Sequence, residues 1–250
     1  MRHVFISPHM DDAVFSAGDL ILNLIKRNES VYVISVFTEF GRGPISAHSR
    51  KYLRCSGISA LRSFRLVRKR EDRLAMKKLR VQRYHHLDFV DAGFRLRDHA
   101  FLLAHLLANF GLGSKFLYPY HDTRSLYSGQ LAAEDVPLQH QVFNILQKVV
   151  RADDTIYGPL AIGRHADHLI TKWALEHFKN KKYYWLDQYY ANMTYAKVQQ
   201  LNLLRNYKLL KELKPTEEKF AIAQCYTSQI RCLFPVGIHF QKESIYEEKY

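Results

Sequence analysis

Cysteine is scarce in this chain. Cys55, Cys225 and Cys232 are the three among 250 residues, and their spacing follows no pattern. The scarcity argues against a disulfide framework and against a cysteine-type zinc site, and it points to a reducing cytoplasm. Long apolar runs are missing as well. None reaches about 18 residues, so no membrane-spanning helix is expected. A secretory leader is not expected, because Asp11 and Asp12 arrive where its apolar stretch should continue. Repeats and low-complexity tracts are absent, and nothing in the composition suggests collagen, a coiled coil or disorder.

Acids are in short supply too: 24 against 37 bases, for a net charge of +13. The excess is concentrated between Arg50 and Arg83, where thirteen bases face two acids, Glu71 and Asp72. A surplus of that size suits nucleic acid, anionic lipid or an anionic substrate. Nucleic acid is the least favoured of these, because Tyr52 and Phe64 are too few to make a stacking platform. The plainest reading is a solvated basic face.

Hydrophobic residues make up 47% of the chain, enough for a substantial core, and the length fits one α/β domain over 1–250. "HVFIS" reads as a strand. "DDAVFSAGDLILNLIKRN" has apolar residues at helical spacing, with Asp11 or Asp12 as cap. "SVYVISVFT" reads as a buried parallel strand, so residues 3–38 spell β-α-β. Glu39 to Ser59 reads as a long loop. "FRLVRKREDRLAMKKLRV" reads as a basic helix with Leu66, Leu74 and Leu79 inward. Further strands are expected at "YHHLDFVDA", "KFLYPY", "TIYGP" and "KKYYWLDQYY". Further helices are expected at "HAFLLAHLLANFG", "LQHQVFNILQKVVR", "HADHLITKWALEHF", 195–213 and "TEEKFAIAQCYTSQI", the last behind a Thr cap. The sum is a Rossmann-like, mostly parallel sheet flanked by helices.

Two clusters carry chemistry. His9-Met10-Asp11-Asp12 and His165-Ala166-Asp167-His168 each follow an expected strand and open an expected helix. In a parallel sheet both then face the carboxyl edge, where active sites lie. A catalytic zinc takes three protein ligands and leaves one position open. His9, one of the two aspartates and one histidine of "HADH" supply such a set. Amide hydrolysis needs two more groups, a base for the attacking water and a donor to the oxyanion. The remaining aspartate and histidine fit those roles, and Asp167 can orient an imidazole from behind. Among the other histidines, His121, followed by Asp122, is the main further candidate.

These residues are familiar as a set. "SPHMDDAVFSAG" followed far downstream by "GPLAIGRHADH" resembles the PIG-L (LmbE-like) deacetylases, zinc-dependent enzymes that remove acetyl groups from N-acetylglucosamine conjugates. The resemblance implies His9, Asp12 and His168 as metal ligands and Asp11 as general base. It implies His165, as imidazolium, at the oxyanion or the leaving amine, with Asp167 holding it. Arg68, Asp91 and Tyr190 match positions that line substrate pockets in relatives. Met10 stands where the family usually has proline, and Ala13 where an acid often follows. Zn²⁺ is the implied cofactor, although Fe²⁺ or Mn²⁺ suits the same donors. The implied partner is a small-molecule or glycoconjugate substrate, with room for an anionic one, and a homo-oligomer is compatible with the sequence. Two alternatives remain at this level: an amidase acting on another N-acyl amine, and a basic nucleic-acid or membrane-binding module with a degenerate site.

Overall fold

The computed structural model describes residues 1–41, 44–97, 114–190 and 202–249. Seven strands form one sheet: β1 (Arg2–Ser7), β2 (Ser30–Glu39), β3 (Arg83–Val90), β4 (Thr155–Pro159), β5 (Lys181–Trp185), β6 (Tyr207–Leu213) and β7 (Glu243–Glu248). Their order is β3-β2-β1-β4-β5-β7-β6. The first five run parallel, and the β7–β6 pair is antiparallel. The helices are α1 (Asp12–Lys26), α2 (Ala47–Cys55), α3 (Leu61–Leu79), α4 (Asp135–Gln147), α5 (Ala166–Glu176), α6 (Glu217–Ala223) and α7 (Thr227–Leu233).

Strand periodicity divides the core between the two faces. In β1, Phe5 packs with α1 and α3, while Val4 and Ile6 pack with α4 and α5. All three are fully buried, as expected of a central parallel strand. Strand order reverses at β1, between β2 and β4, and such a switch point opens a crevice beyond the carboxyl ends.

Several elements depart from the sequence expectation. Within Glu39–Ser59 lies α2, started by Ser46, whose hydroxyl accepts from the Ser49 N–H. On α3, Leu66 and Leu74 are 64% and 45% exposed, and only Leu79 turns inward. The inner face is instead Phe64, Arg68, Glu71, Asp72, Ala75 and Met76. The buried acids there are bonded: Glu71 to Ser228 and Thr227, and Asp72 to Tyr226 and His86. "KFLYPY" is not a strand. Ser114–Leu117 is a helical turn, and Tyr120 leaves the sheet direction to bond Asp135. In the expected helix 195–213, 195–201 lie outside the described residues, and Tyr207–Leu213 is β6, held on the sheet edge by β7. The helix expected at "HAFLLAHLLANFG" also lies outside them. "TEEKFAIAQCYTSQI" begins at its Thr216 cap but splits into α6 and α7 before Tyr226, whose hydroxyl is tied to Met10 and Asp72.

Neither Asp11 nor Asp12 caps α1 with its side chain. The Ser7 hydroxyl accepts from the Ala13 N–H at 3.0 Å, and Asp12 reaches back to the His9 N–H at 2.9 Å. Helix α1 is broken at Ala17 (φ −142°, ψ 20°). The N–H groups of Asp19 and Leu20 donate to the Glu243 carboxylate, which pairs with the buried Lys219 at 2.7 Å. The C-terminal strand is thereby bolted into the first helix.

Candidate active site

Two strand ends build the site. β1 runs into Pro8-His9-Met10-Asp11 and then α1. Met10 turns its side chain into the core, fully buried, so its neighbours His9 and Asp11 are directed elsewhere. β4 runs into a tight turn in which Ala161 (φ 58°) and Arg164 (φ 55°) are left-handed. A side chain on Gly163 would run into the ring of Tyr190. The turn delivers His165 to the N-cap of α5, where its Nδ1 accepts from the Asp167 N–H at 3.2 Å.

The His-Asp-Asp and His-Ala-Asp-His clusters meet. Asp12 Oδ2 lies 3.1 Å from His9 Nδ1 and 3.2 Å from His168 Nε2. Donor atoms of His9, Asp12 and His168 all fall within 4.8 Å of one another. His9, His165 and Asp167 make a second such group around the shared His9. The first group fits a divalent metal better. His168 Nε2 is buried at ion-pair distance from Asp12, yet it has no hydrogen-bond partner among the described residues. Two donor atoms this close without a hydrogen bond between them suit a shared cation. The other ring nitrogen, Nδ1, is held by Asp187 Oδ1 at 2.8 Å, as the rear nitrogen of a ligating imidazole usually is. The second group is already spoken for, because the Asp167 carboxylate is engaged by Arg95 and by the Ala92 N–H at 2.8 Å.

The electrostatics follow from burial and these pairings. Burial opposes charge on His168, but Asp12 and Asp187 outweigh it and raise the imidazole to about 9. Burial likewise opposes charge on His9, and its bonds to Asp12 and Asp167 raise it well above the ordinary value. Burial also works against ionisation of Asp12, but His168 and His9 hold its carboxyl well below the usual range. His165 is lowered well below the usual imidazole value by burial and by neighbouring His9. Burial raises the Asp11 carboxyl, while Arg68, 3.4 Å away, pulls it back.

The nine residues that the paired motifs and the family resemblance point to gather here. His9, Asp11, Asp12, Arg68, Asp91, His165 and Tyr190 line a cavity of about 880 Å³, and Asp167 and His168 stand behind its wall. Asp167 does not hold His165 by its side chain. Its backbone N–H makes that contact, and its carboxylate faces His9 Nε2 at 3.1 Å, drawn there by Arg95. Arg68 does more than line the cavity, because it also faces Asp11. His121 does not line the cavity, and Asp122 caps the turn Thr123–Leu126. The residues missed from sequence are Arg95, which engages Asp167, Asp187, which holds His168, and Gln188, which lines the cavity. Only the aspartate of "WLDQYYA" carried a signal, as an acid just past a strand end.

The model of one family, described as PIG-L: GlcNAc-PI de-N-acetylase, matches residues 4–179. The chain belongs to the PIG-L family. Asp187, Gln188 and Tyr190 lie beyond the stretch that the PIG-L model matches. No curated protein matches at a significant level. Among solved structures, a deacetylase of the teicoplanin biosynthesis pathway is 20% identical, with a TM-score of 0.73, and the alignment covers 98% of this chain and 97% of that one. A zinc-inhibited form of teicoplanin deacetylase is 22% identical at a TM-score of 0.68, with 98% and 97% covered. The 4-carboxy-2-hydroxymuconate hydratase of Pseudomonas putida is 12% identical at 0.52, with 100% and 96% covered. These likenesses establish the fold. Because a hydratase shares it, chemistry must be argued from the site. Among the described residues no helix is long and apolar enough to cross a membrane.

Proposed function

We propose that this PIG-L protein is a metal-dependent hydrolase that removes the acetyl group from an N-acetylated amino sugar, an N-acetylglucosamine-type conjugate. One observation carries the reading: His9, Asp12 and His168 converge from two strand ends while Asp11, next in the chain, faces the cavity beside Arg68. His9, Asp12 and His168 would hold Zn²⁺, which would supply Lewis acidity toward the acetyl carbonyl, and Fe²⁺ or Mn²⁺ suits the same donors.

The rest of the chemistry belongs to side chains. Asp11 takes a proton from the attacking water, whose oxygen bonds to the acetyl carbon. His165 Nδ1 accepts the Asp167 N–H, so the ring proton sits on Nε2 and His165 donates to the developing oxyanion as a neutral imidazole. This differs from the imidazolium that the family resemblance implies, and burial of the ring is the reason. The C–N bond then breaks, Asp11 returns its proton to the departing amine, and the acetic acid left behind ionises to acetate. Asp91 and Tyr190 line the sugar's side of the cavity, and Arg68 serves both Asp11 and an anionic substituent. We place the enzyme in the cytoplasm, consistent with its three free thiols.

The test is acetate release by zinc-loaded protein from a panel of N-acetylglucosamine conjugates and non-sugar N-acyl amines. Release from sugar conjugates supports the reading. Release confined to non-sugar amides replaces the substrate class. A zinc-loaded protein that hydrolyses none of them sinks it.

A further inference from the structure

Two of the three cysteines, far apart in sequence, meet on the cavity wall. Cys55 ends α2 and Cys232 lies in α7. The Cys55 thiol donates to the Arg231 carbonyl at 3.7 Å, and the Cys232 thiol donates to the Tyr52 carbonyl at 3.6 Å. Tyr52 sits one turn before Cys55, and Arg231 immediately precedes Cys232. The two bonds cross the same helix seam and set both cysteines on it, close enough for their thiols to interact. Both residues line the cavity; Cys55 is exposed and Cys232 half-buried. No bond joins them, and Cys225 lines no part of the cavity.

We propose that Cys55 and Cys232 are an oxidisable dithiol built into the cavity wall, closed to a disulfide by hydroperoxides. The Cys55 sulfur, as thiolate, attacks the outer oxygen of ROOH. The O–O bond breaks, ROH leaves, and Cys55 becomes a sulfenic acid. The Cys232 sulfur then attacks the Cys55 sulfur, the S–O bond breaks, and the oxygen leaves as water with the Cys232 proton. In balance, two thiols and ROOH give a disulfide, ROH and water. Exposure assigns the order, because the accessible thiol meets the oxidant and its half-buried neighbour resolves it. The environment agrees. Burial and then the adjacent Cys55 thiol raise the Cys232 thiol well above its usual value, and the Arg68 guanidinium pulls it partly back, so Cys232 is the weaker of the two nucleophiles toward the oxidant. The bond would pin α2, which carries His48, Lys51 and Tyr52 into the cavity lining, against α7.

Nothing in this proposal depends on the hydrolytic reading, and its test needs no substrate. Fully reduced protein is treated with hydrogen peroxide, and thiols are titrated after denaturation. The expected count falls from three to one. Intact mass should drop by two hydrogens, and peptide mapping should join 55 to 232 with Cys225 still free. Cys232→Ser protein at the same dose should hold a sulfenic acid on Cys55 that dimedone traps. Wild-type protein suffices for the mapping if that variant does not fold. Loss of Cys225 at the rate of the other two, a cross-link between another pair, or three thiols surviving the dose would each overturn the proposal.

Discussion

Asp187 holds His168 from behind: Oδ1 of the first lies 2.8 Å from Nδ1 of the second, and both are buried. This contact fixes which ring nitrogen faces Asp12 and His9. Removing it frees the ring to rotate and lowers its basicity. Asp187→Ala should weaken zinc binding by about 10–100-fold. A competition titration against a chromogenic chelator reads the effect directly. Unchanged affinity would show that His168 is oriented by its ring neighbours, among them Tyr190, whose ring centroid stands 5.0 Å away.

Asp11 and Asp12 are adjacent but occupy different environments. Asp12 Oδ2 is committed to His9 and His168, and Asp11 faces Arg68 and the cavity. Asp11→Asn should keep the zinc stoichiometry of the wild type and lose turnover by about 10²–10⁴-fold, the usual share of a positioned proton carrier. Metal analysis and acetate release on the same preparation check both halves. Turnover near the wild-type rate would remove Asp11 from the proton path.

Much of this was legible in the sequence, for a physical reason. His9, Asp12, His165 and His168 sit within a few residues of two strand ends, and parallel topology alone brings such ends together. Asp187 and Arg95 reach the site from separate loops; Asp187 is marked only as an acid just past a strand end, and nothing local announces Arg95. The leucines of α3 mislead because apolar periodicity assumes acids face water, whereas Glu71 and Asp72 are buried against hydroxyls of a helix more than 150 positions away. The loop reading of Glu39–Ser59 failed on a single serine cap hidden among other small polar residues. Pattern analysis found nothing in the cysteines, and folding pairs two of them across α2 and α7.

Arg95 is the hub of a buried charge cluster. It pairs with Asp135 and Asp167, whose side chains are both wholly buried, and Tyr120 donates to Asp135 from the far side. Truncating the cation strands two carboxylates out of water. Arg95→Leu should destabilise the fold by about 3–5 kcal/mol, measured by urea unfolding of the metal-free protein. Arg95→Lys keeps the charge but loses the fork that spans both acids, so it should fall between. A loss below 1 kcal/mol, on the order of a surface ion pair, would mean that water reaches these acids.

At the amino end, Arg2 clamps Asp154 with bonds of 2.8 and 2.5 Å, and the Arg151 N–H adds a third at 2.7 Å. Burial works against ionisation of Asp154, but these donors outweigh it and hold the carboxyl below its usual range. The folded value thus lies below the unfolded one, about 3.9. Stability from this pair is therefore fully present above the unfolded value and is lost as pH falls through the folded one. Asp154→Asn removes the titration while keeping the shape. Its melting temperature should lie below that of the wild type by a constant margin above about pH 5, and the margin should close progressively in more acid buffer. Thermal melts of both proteins across an acid pH series check this, and a margin that stays constant to the lowest pH would show that Asp154 does not titrate between the two states.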